Sequence, residues 1–274
     1  MSIHVTRKKP KAAAFDMDGT LLRSDGTLSA RTELALRAYS ASGGIIIIAT
    51  GRPPRLVLPL FPQLAVADYF IYNNGAVVVN TGGDWRVEQP ISNDTAYRFH
   101  RHVLNHHADG ICIWEVADRW HANRPLYEEE KAYFLGPADQ LDPIILSEQS
   151  IRELQPSKML LPRVYDMDNL SETFQNELNV YRLSSAPCVE MAPRTISKAS
   201  GVEGIALRHG LSSEEIGSFG DDYNDMAMFR YCGHSVAMHN AIPELAAIAT
   251  DTTASNDKDG VAMKLEQWLE DSEG

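Results

Sequence analysis

The chain has 274 residues, 44% hydrophobic and 23% charged, enough for one elaborated domain or two modest ones and too apolar for a disordered or low-complexity chain. Lys and Arg number 25 against 37 Asp and Glu, and the net charge of −12 repels a phosphate backbone, so nucleic acid is excluded as the main partner. Cys112, Cys188 and Cys232 form no C-x-x-C pair, which excludes a disulfide framework or structural zinc and points to a reducing, cytoplasmic setting.

Arg7, Lys8, Lys9 and Lys11 precede the first strand and read as a solvated tail. Ala12 to Phe15 is a short apolar run that stops at Asp16-Met17-Asp18-Gly19-Thr20, which places two carboxylates at a strand's C-terminal end. A helix is predicted from Ser29, its cap, to Tyr39, with Gly43 as the stop. Ile45 to Ile48 reads as a strand buried on both faces, ending at Thr50-Gly51-Arg52-Pro53-Pro54. This longest aliphatic run, Ile45 to Ala49, is far too short to span a bilayer, and no apolar signal segment follows the basic N-terminus, so no membrane association is expected. Tyr69 to Tyr72 is a third strand, ending at Asn73-Asn74-Gly75. Strand, helix and strand in this order predict a doubly wound α/β sheet, whose ligands bind outside the carboxyl ends of the strands.

The middle third changes character. A β-hairpin is predicted over 76–91, then alternating strands over 111–116 and 119–122, helices near 93–107 and 168–179, and strands near 158–162 and 180–191. Residues 85–189 are read as an inserted α+β cap domain, with 1–84 and 190–274 as the core. Parallel-sheet grammar resumes with a helix from Lys198 to His209 stopped by Gly210. Strands at 216–219 and 235–238 and helices near 243–249 and 259–270 complete the chain.

Asp16 and Asp18, and Asp221 and Asp225, each follow a buried strand. If both strands lie centrally in one sheet, four acidic side chains meet, which is costly unless a cation neutralises them. All-oxygen ligands point to Mg²⁺ rather than zinc. The backbone N–H groups of the Met17–Gly19 turn, the Thr50 hydroxyl, Gly51 and the Lys198 ammonium suit phosphate. Together these describe phosphoryl transfer.

Asp16-Met17-Asp18-Gly19-Thr20-Leu21, Thr50-Gly51-Arg52, Lys198 and Gly220-Asp221-Asp222-Tyr223-Asn224-Asp225 resemble, in order and at strand ends, the four motifs of the haloacid dehalogenase (HAD) superfamily. Asn73-Asn74-Gly75-Ala76, 235–241 and 259–262 resemble stretches of its Cof-type subfamily, phosphatases of sugar phosphates and small metabolites with a large α/β cap. His239 stands where that resemblance leads one to expect glycine. The resemblance covers the core, roughly 12–83 and 190–270. It implies Asp16 as nucleophile forming an aspartyl-phosphate and Asp18 as general acid, then base, with its backbone carbonyl on the metal. Asp221 is expected as a second metal ligand, with Asp225 and Asp222 supporting. Met17, Thr50, Gly51, Lys198 and Asn224 are expected around the phosphoryl group, and Arg52 on either the substrate or a carboxylate.

Blander readings apply elsewhere. His100, His102, His106 and His107 read as a solvated helix rather than a metal site, and Glu128 to Glu130 as an exposed helical face. Trp114, Glu115, Arg119, Trp120, His121 and Arg124 are the cap candidates for reading the leaving group, two or three of which face the site by strand alternation. Asp222 or Asp225 caps the following helix if it does not serve the metal. Nothing near Cys232 activates its thiol. The expected function is Mg²⁺-dependent hydrolysis of small phosphorylated metabolites, sugar phosphates or cofactor phosphates, with no obligate protein partner. A phosphosugar mutase and a non-catalytic phosphate sensor are the alternatives. Haloalkanoate dehalogenation needs neither Asp18 nor Asp221.

Overall fold

The computed structural model describes residues 9–131, 142–162, 167–182 and 188–273. The chain opens with β1 (Ala12–Phe15), α1 (Ala30–Ala41), β2 (Ile45–Ala49), β3 (Tyr69–Tyr72), β4 (Val77–Asn80) and β5 (Arg86–Glu88). A second group follows: α2 (Asn93–His106), β6 (Ile113–Val116), β7 (Arg119–Ala122), α3 (Glu128–Lys131), β8 (Ile144–Ile145), α4 (Glu148–Arg152), β9 (Lys158–Pro162), α5 (Met167–Phe174), β10 (Leu178–Arg182) and β11 (Cys188–Pro193). The chain then returns through α6 (Lys198–His209), β12 (Ile216–Gly220), α7 (Met226–Tyr231), β13 (His234–Ala237), α8 (Pro243–Ala246), β14 (Asp251–Thr252) and α9 (Gly260–Glu273).

Eight strands form one sheet in the order β14-β13-β12-β1-β2-β3-β4-β5. The six from β14 to β3 run parallel, and β4 and β5 turn back antiparallel at the edge. Ala13, Phe15, Ile46 and Ile48 pack one face against Leu36 and Tyr39 of α1 and Leu265 and Trp268 of α9. Ala12, Ala14, Ile47 and Ala49 pack the other against Val202 and Ile205 of α6 and Met228 of α7. Both faces are covered, which is why these strands are apolar at consecutive positions. This is the doubly wound α/β core expected from the sequence. Ser29 caps α1 by accepting from Thr32 N at 3.0 Å, and Gly210 ends α6 at φ 64°.

The second sheet, β10-β11-β9-β6-β7-β8, is antiparallel except where β8 runs parallel to β7. Trp114, Met159, Leu161, Val189 and Met191 pack one of its faces against Phe99 and Val103 of α2, Ile151 of α4 and Leu170 and Phe174 of α5. β5 completes the edge hairpin with β4 in the first sheet, and β11 lies between β9 and β10 in the second.

Other expectations differ in detail. The stretch 168–179 is not one helix: α5 stops at Phe174 and β10 begins at Leu178. The strand expected over 180–191 is two, β10 and β11, and 183–187 lie outside the described residues, as do Arg7 and Lys8. Lys9 donates to Ser42 Oγ at 2.7 Å, and Lys11, its side chain 66% exposed, pairs with Glu215 at 2.6 Å. No helix among the described residues is long and apolar enough to cross a membrane.

Candidate active site

The adjacent central strands β1 and β12 pair in register through Phe15 and Phe219, whose rings stack at 4.9 Å. Asp16 and Gly220-Asp221 come next in the chain, so two acidic turns leave the sheet side by side over an apolar floor. Single carboxylate oxygens of Asp16, Asp221 and Asp225 all lie within 4.8 Å of one another. Gly19, at φ +78°, makes the approach possible: a Cβ there would overlap the Asp221 carboxylate.

Lys198, the first residue of α6, is fully buried and donates to Asp16 Oδ1 at 2.5 Å and Asp225 Oδ1 at 2.7 Å. Asp225 Oδ2 accepts from the backbone N–H groups of Asp221 at 3.0 Å and Asp222 at 3.2 Å. Both Asp225 oxygens are therefore occupied, and the residue holds Lys198 and the loop in place. Asp222 caps the turn that follows it, accepting from Tyr223 N at 2.8 Å. Thr20 Oγ1 donates to Asp221 Oδ1 at 2.9 Å. Asp16 Oδ2 and Asp221 Oδ2 accept no hydrogen bond from a described residue.

Burial pushes Asp16 well above the ordinary carboxylate range; Lys198 opposes this, and Asp225, Asp221 and Asp18 add to it. Burial and the Asp225 charge push Asp221 up to about 7, against the Thr20 hydrogen bond and Lys198. Burial alone would lower Lys198, but Asp16 and Asp225 outweigh it and hold the ammonium charged. When all three carboxylates are ionised, the one ammonium leaves two net negative charges in a buried site, which is why both Asp16 and Asp221 are pushed up. All-oxygen donors, two of them free of hydrogen bonds, fit a hard divalent cation.

The remaining expected residues fall into two groups. Thr50 and Gly51 directly follow β2, the strand beside β1, and Thr50 Oγ1 accepts from Arg52 N at 3.1 Å. Asn224 donates to Asn74 Oδ1 at 3.1 Å. Asp18 stands apart: its carboxylate is outside the three-acid group and is held by Arg52 Nε at 2.8 Å and Nη2 at 2.6 Å. Arg52 thus pairs with a carboxylate, one of its two expected roles. Met17 is buried in the core, so any contact of the 17–19 turn with phosphate is a backbone one.

Of the six cap candidates, Glu115 and Trp120 share the sheet face opposite the helices, because they are register partners one step out of phase with Trp114. Glu115, fully buried, accepts from Arg55 Nη1 at 2.6 Å and Nη2 at 2.8 Å across the seam between the sheets. Arg124 is engaged by Glu130 at 2.7 Å. His100 is buried against Trp114, not solvated. His102 and His106 sit ring to ring at 4.3 Å and belong to no metal-holding group among the described residues. Burial pushes the Cys232 thiol up to about 12, which leaves it inert.

Sequence reasoning missed Lys158, Glu190 and Asn74. Lys158 Nζ donates to Gly51 O at 2.7 Å and Glu190 Oε1 at 2.8 Å, and Asn74 Nδ2 donates to Glu190 Oε2 at 2.7 Å. Asn73 and Asn74 both take positive φ, 50° and 55°, which asparagine tolerates better than most residues. The available signal was a lone charge in each of two otherwise apolar strands, Lys158 at the start of β9 and Glu190 within β11.

Carboxylates and a lysine at the carboxyl ends of a doubly wound sheet, with a second sheet touching the loops that follow β2 and β3, are the groups a phosphoryl-transfer hydrolase needs. The haloacid dehalogenase-like hydrolase family profile matches residues 13–265, so the chain belongs to that family. It is 28% identical to a Bacillus subtilis 5-amino-6-(5-phospho-D-ribitylamino)uracil phosphatase, covering 95% of this chain and 98% of that one. It is 26% identical to the phosphatase YwpJ of the same organism, covering 94% and 100%. Two solved structures share the fold: a Thermotoga maritima protein with TM-score 0.80 at 23% identity over 94% of this chain and 97% of that one, and the HAD subclass IIB sugar phosphatase BT4131 with TM-score 0.79 at 24% identity over 94% and 99%. The protein is a phosphoric monoester hydrolase of this family.

Proposed function

We propose that the protein hydrolyses small phosphorylated metabolites, sugar phosphates or cofactor phosphates, with Mg²⁺ and through an aspartyl-phosphate on Asp16. The observation that carries this reading is the pair of unengaged oxygens, Asp16 Oδ2 and Asp221 Oδ2, beside a buried Lys198 that neutralises only one of three carboxylates. Asp16, Asp221 and the Asp18 backbone carbonyl would hold Mg²⁺, which when bound screens the repulsion between a carboxylate and a phosphate dianion.

The Asp16 carboxylate attacks phosphorus as the bond to the leaving oxygen breaks, and Asp18 delivers its proton to that oxygen. Asp18 then takes a proton from water, which attacks the phosphorus of the aspartyl-phosphate, frees Asp16 and releases inorganic phosphate. For this the Asp18 carboxylate leaves Arg52 and turns toward the leaving group. Lys198, the Thr50 hydroxyl, Asn224 and the backbone at Met17 and Gly51 hold the phosphoryl oxygens as charge spreads. Residues 85–189 serve as the cap over the core of 1–84 and 190–274 and exclude water when closed. Three free, buried cysteines suit a reducing cytoplasm.

The test is phosphate release from p-nitrophenyl phosphate and a panel of sugar and cofactor phosphates, with Mg²⁺, with EDTA and with Asp16→Asn. Metal-dependent release that vanishes in the variant supports the proposal. Release unaffected by EDTA or by the variant refutes it.

A further inference from the structure

The face of the second sheet turned away from its helices carries a row of polar side chains in an apolar setting. Glu115 of β6 lies opposite Lys158 of β9, and Glu190 of β11 and Tyr181 of β10 lie opposite one another. Glu190 shares the face of Lys158, because it pairs with Leu160, two residues further along β9. All three charged residues are almost completely buried. Their neighbours on this face, Ile113, Leu160 and Ala122, are apolar, so nothing in a packing argument calls for charges there.

These charges meet the loops that end β2 and β3. Lys158 reaches the Gly51 carbonyl, and Glu190 lies so close that a Cβ on Gly51 would sit 2.9 Å from its Oε2. Asn74 joins Glu190 to Asn224, and Asn73 Nδ2 donates to Ser157 Oγ at 2.9 Å. Asn73 Oδ1 is buried yet accepts no hydrogen bond from a described residue. Acceptor-only carboxylates, a donor-only ammonium and an unfilled amide acceptor beside the phosphate loop match groups that both donate and accept, which is the behaviour of a hydroxyl. Two carboxylates are balanced by Lys158 and Arg55, leaving no surplus cation for a second phosphate. Of the aromatics on this face, Trp120 is covered by the Arg55 guanidinium at 5.7 Å and Tyr181 donates its hydroxyl to Ile196 O at 3.2 Å.

Resting on the phosphatase reading above, we propose that Lys158 and Glu190 position the leaving group and select monophosphates whose leaving group is a neutral polyol. A hydroxyl near the ester replaces Gly51 O on Lys158 and Asn74 Nδ2 on Glu190, so the pair that closes the cap on the phosphate loop is also what recognises the substrate.

The experiment compares kcat/KM for ribitol 5-phosphate, p-nitrophenyl phosphate and pyridoxal 5′-phosphate in the parent, in Glu190→Gln, and in Lys158→Met combined with Glu190→Gln, which leaves no buried charge unpaired. Both variants lose rate on every ester, because closure on Gly51 and Asn74 is disturbed. The expected signature is a ratio of ribitol 5-phosphate to p-nitrophenyl phosphate that falls by a further factor of about 10–100, the weight of one or two charge-assisted hydrogen bonds, mostly in KM. A ratio within twofold of the parent in Glu190→Gln, which keeps the shape of the side chain, overturns the inference and leaves the pair a structural seam. A parent that prefers pyridoxal 5′-phosphate to ribitol 5-phosphate overturns it as well. A parent that releases phosphate from none of the three overturns the phosphatase reading itself.

Discussion

Replacing Lys198 by methionine keeps the bulk of the side chain and removes the ammonium that touches both Asp16 and Asp225. Its head is fully buried, as is Asp225, so no water replaces the lost contact. Breaking a buried ion pair by deleting one partner costs about 3–5 kcal/mol, which for a chain of this size corresponds to a fall in Tm of roughly 6–10 °C. Phosphate release should fall by about 10²–10³-fold in kcat, the usual effect of losing one group that opposes transition-state charge. Adding Asp225→Asn removes one of the orphaned carboxylates and should return about 1–3 kcal/mol of stability without returning activity, the non-additivity expected of groups in contact. Calorimetry in EDTA, with and without excess Mg²⁺, reads the stability, and Mg²⁺ should recover part of the loss because it takes over the neutralising role. A Lys198→Met protein that melts within about 2 °C of the parent in EDTA, less than one kcal/mol by the same scaling, would refute the claim that these carboxylates depend on Lys198.

Gly19→Ala forces a side chain into a left-handed residue, costing about 1–2 kcal/mol, and puts a methyl group against the Asp221 carboxylate. Calorimetric titration should show Mg²⁺ binding weakened at least tenfold, and an unchanged Kd would contradict the packing argument. The raised Asp221 value sets a pH dependence. A carboxyl whose folded value lies above its unfolded one contributes stability that is fully present below the unfolded value, 3.8, and is lost as pH rises through about 7. Mg²⁺ must displace that proton at pH 6 but not at pH 8, so its Kd should be about tenfold weaker at pH 6 and its effect on Tm larger at pH 8. Equal affinity at both values would show that Asp221 is ionised throughout and not a ligand that titrates near 7.

The legible part of this molecule is the part in which sequence neighbours act together. Asp16 follows Phe15 in a fully apolar run, and a charge at the end of such a run can only be at a strand end. The same holds for Asp221 after Ile216–Gly220, and Ser29 and Gly210 mark their helices by local hydrogen bonding and backbone conformation alone. Lys198 was legible only through its place in a motif order, since its partners lie 182 and 27 residues away. Lys158 and Glu190 had no such support. Each is a single charge in a short, otherwise apolar strand, a signal that a residue facing water gives as well.

What separates these residues is register. The second sheet runs β10-β11-β9-β6-β7-β8, an order that does not follow the chain, and it decides that Lys158 stands beside Glu190 and across from Glu115. A shift of one residue in the pairing of β9 would turn Lys158 into the helix-packed face and bring Met159 over Gly51. The apolar residues Met159, Leu161, Val189 and Met191 prevent that shift, because they fill the helix-facing core. The positions of Lys158 and Glu190 are therefore fixed by residues that make none of their contacts. Charges in a sheet of this kind have to be judged against the packing of the opposite face before a functional role is assigned to them.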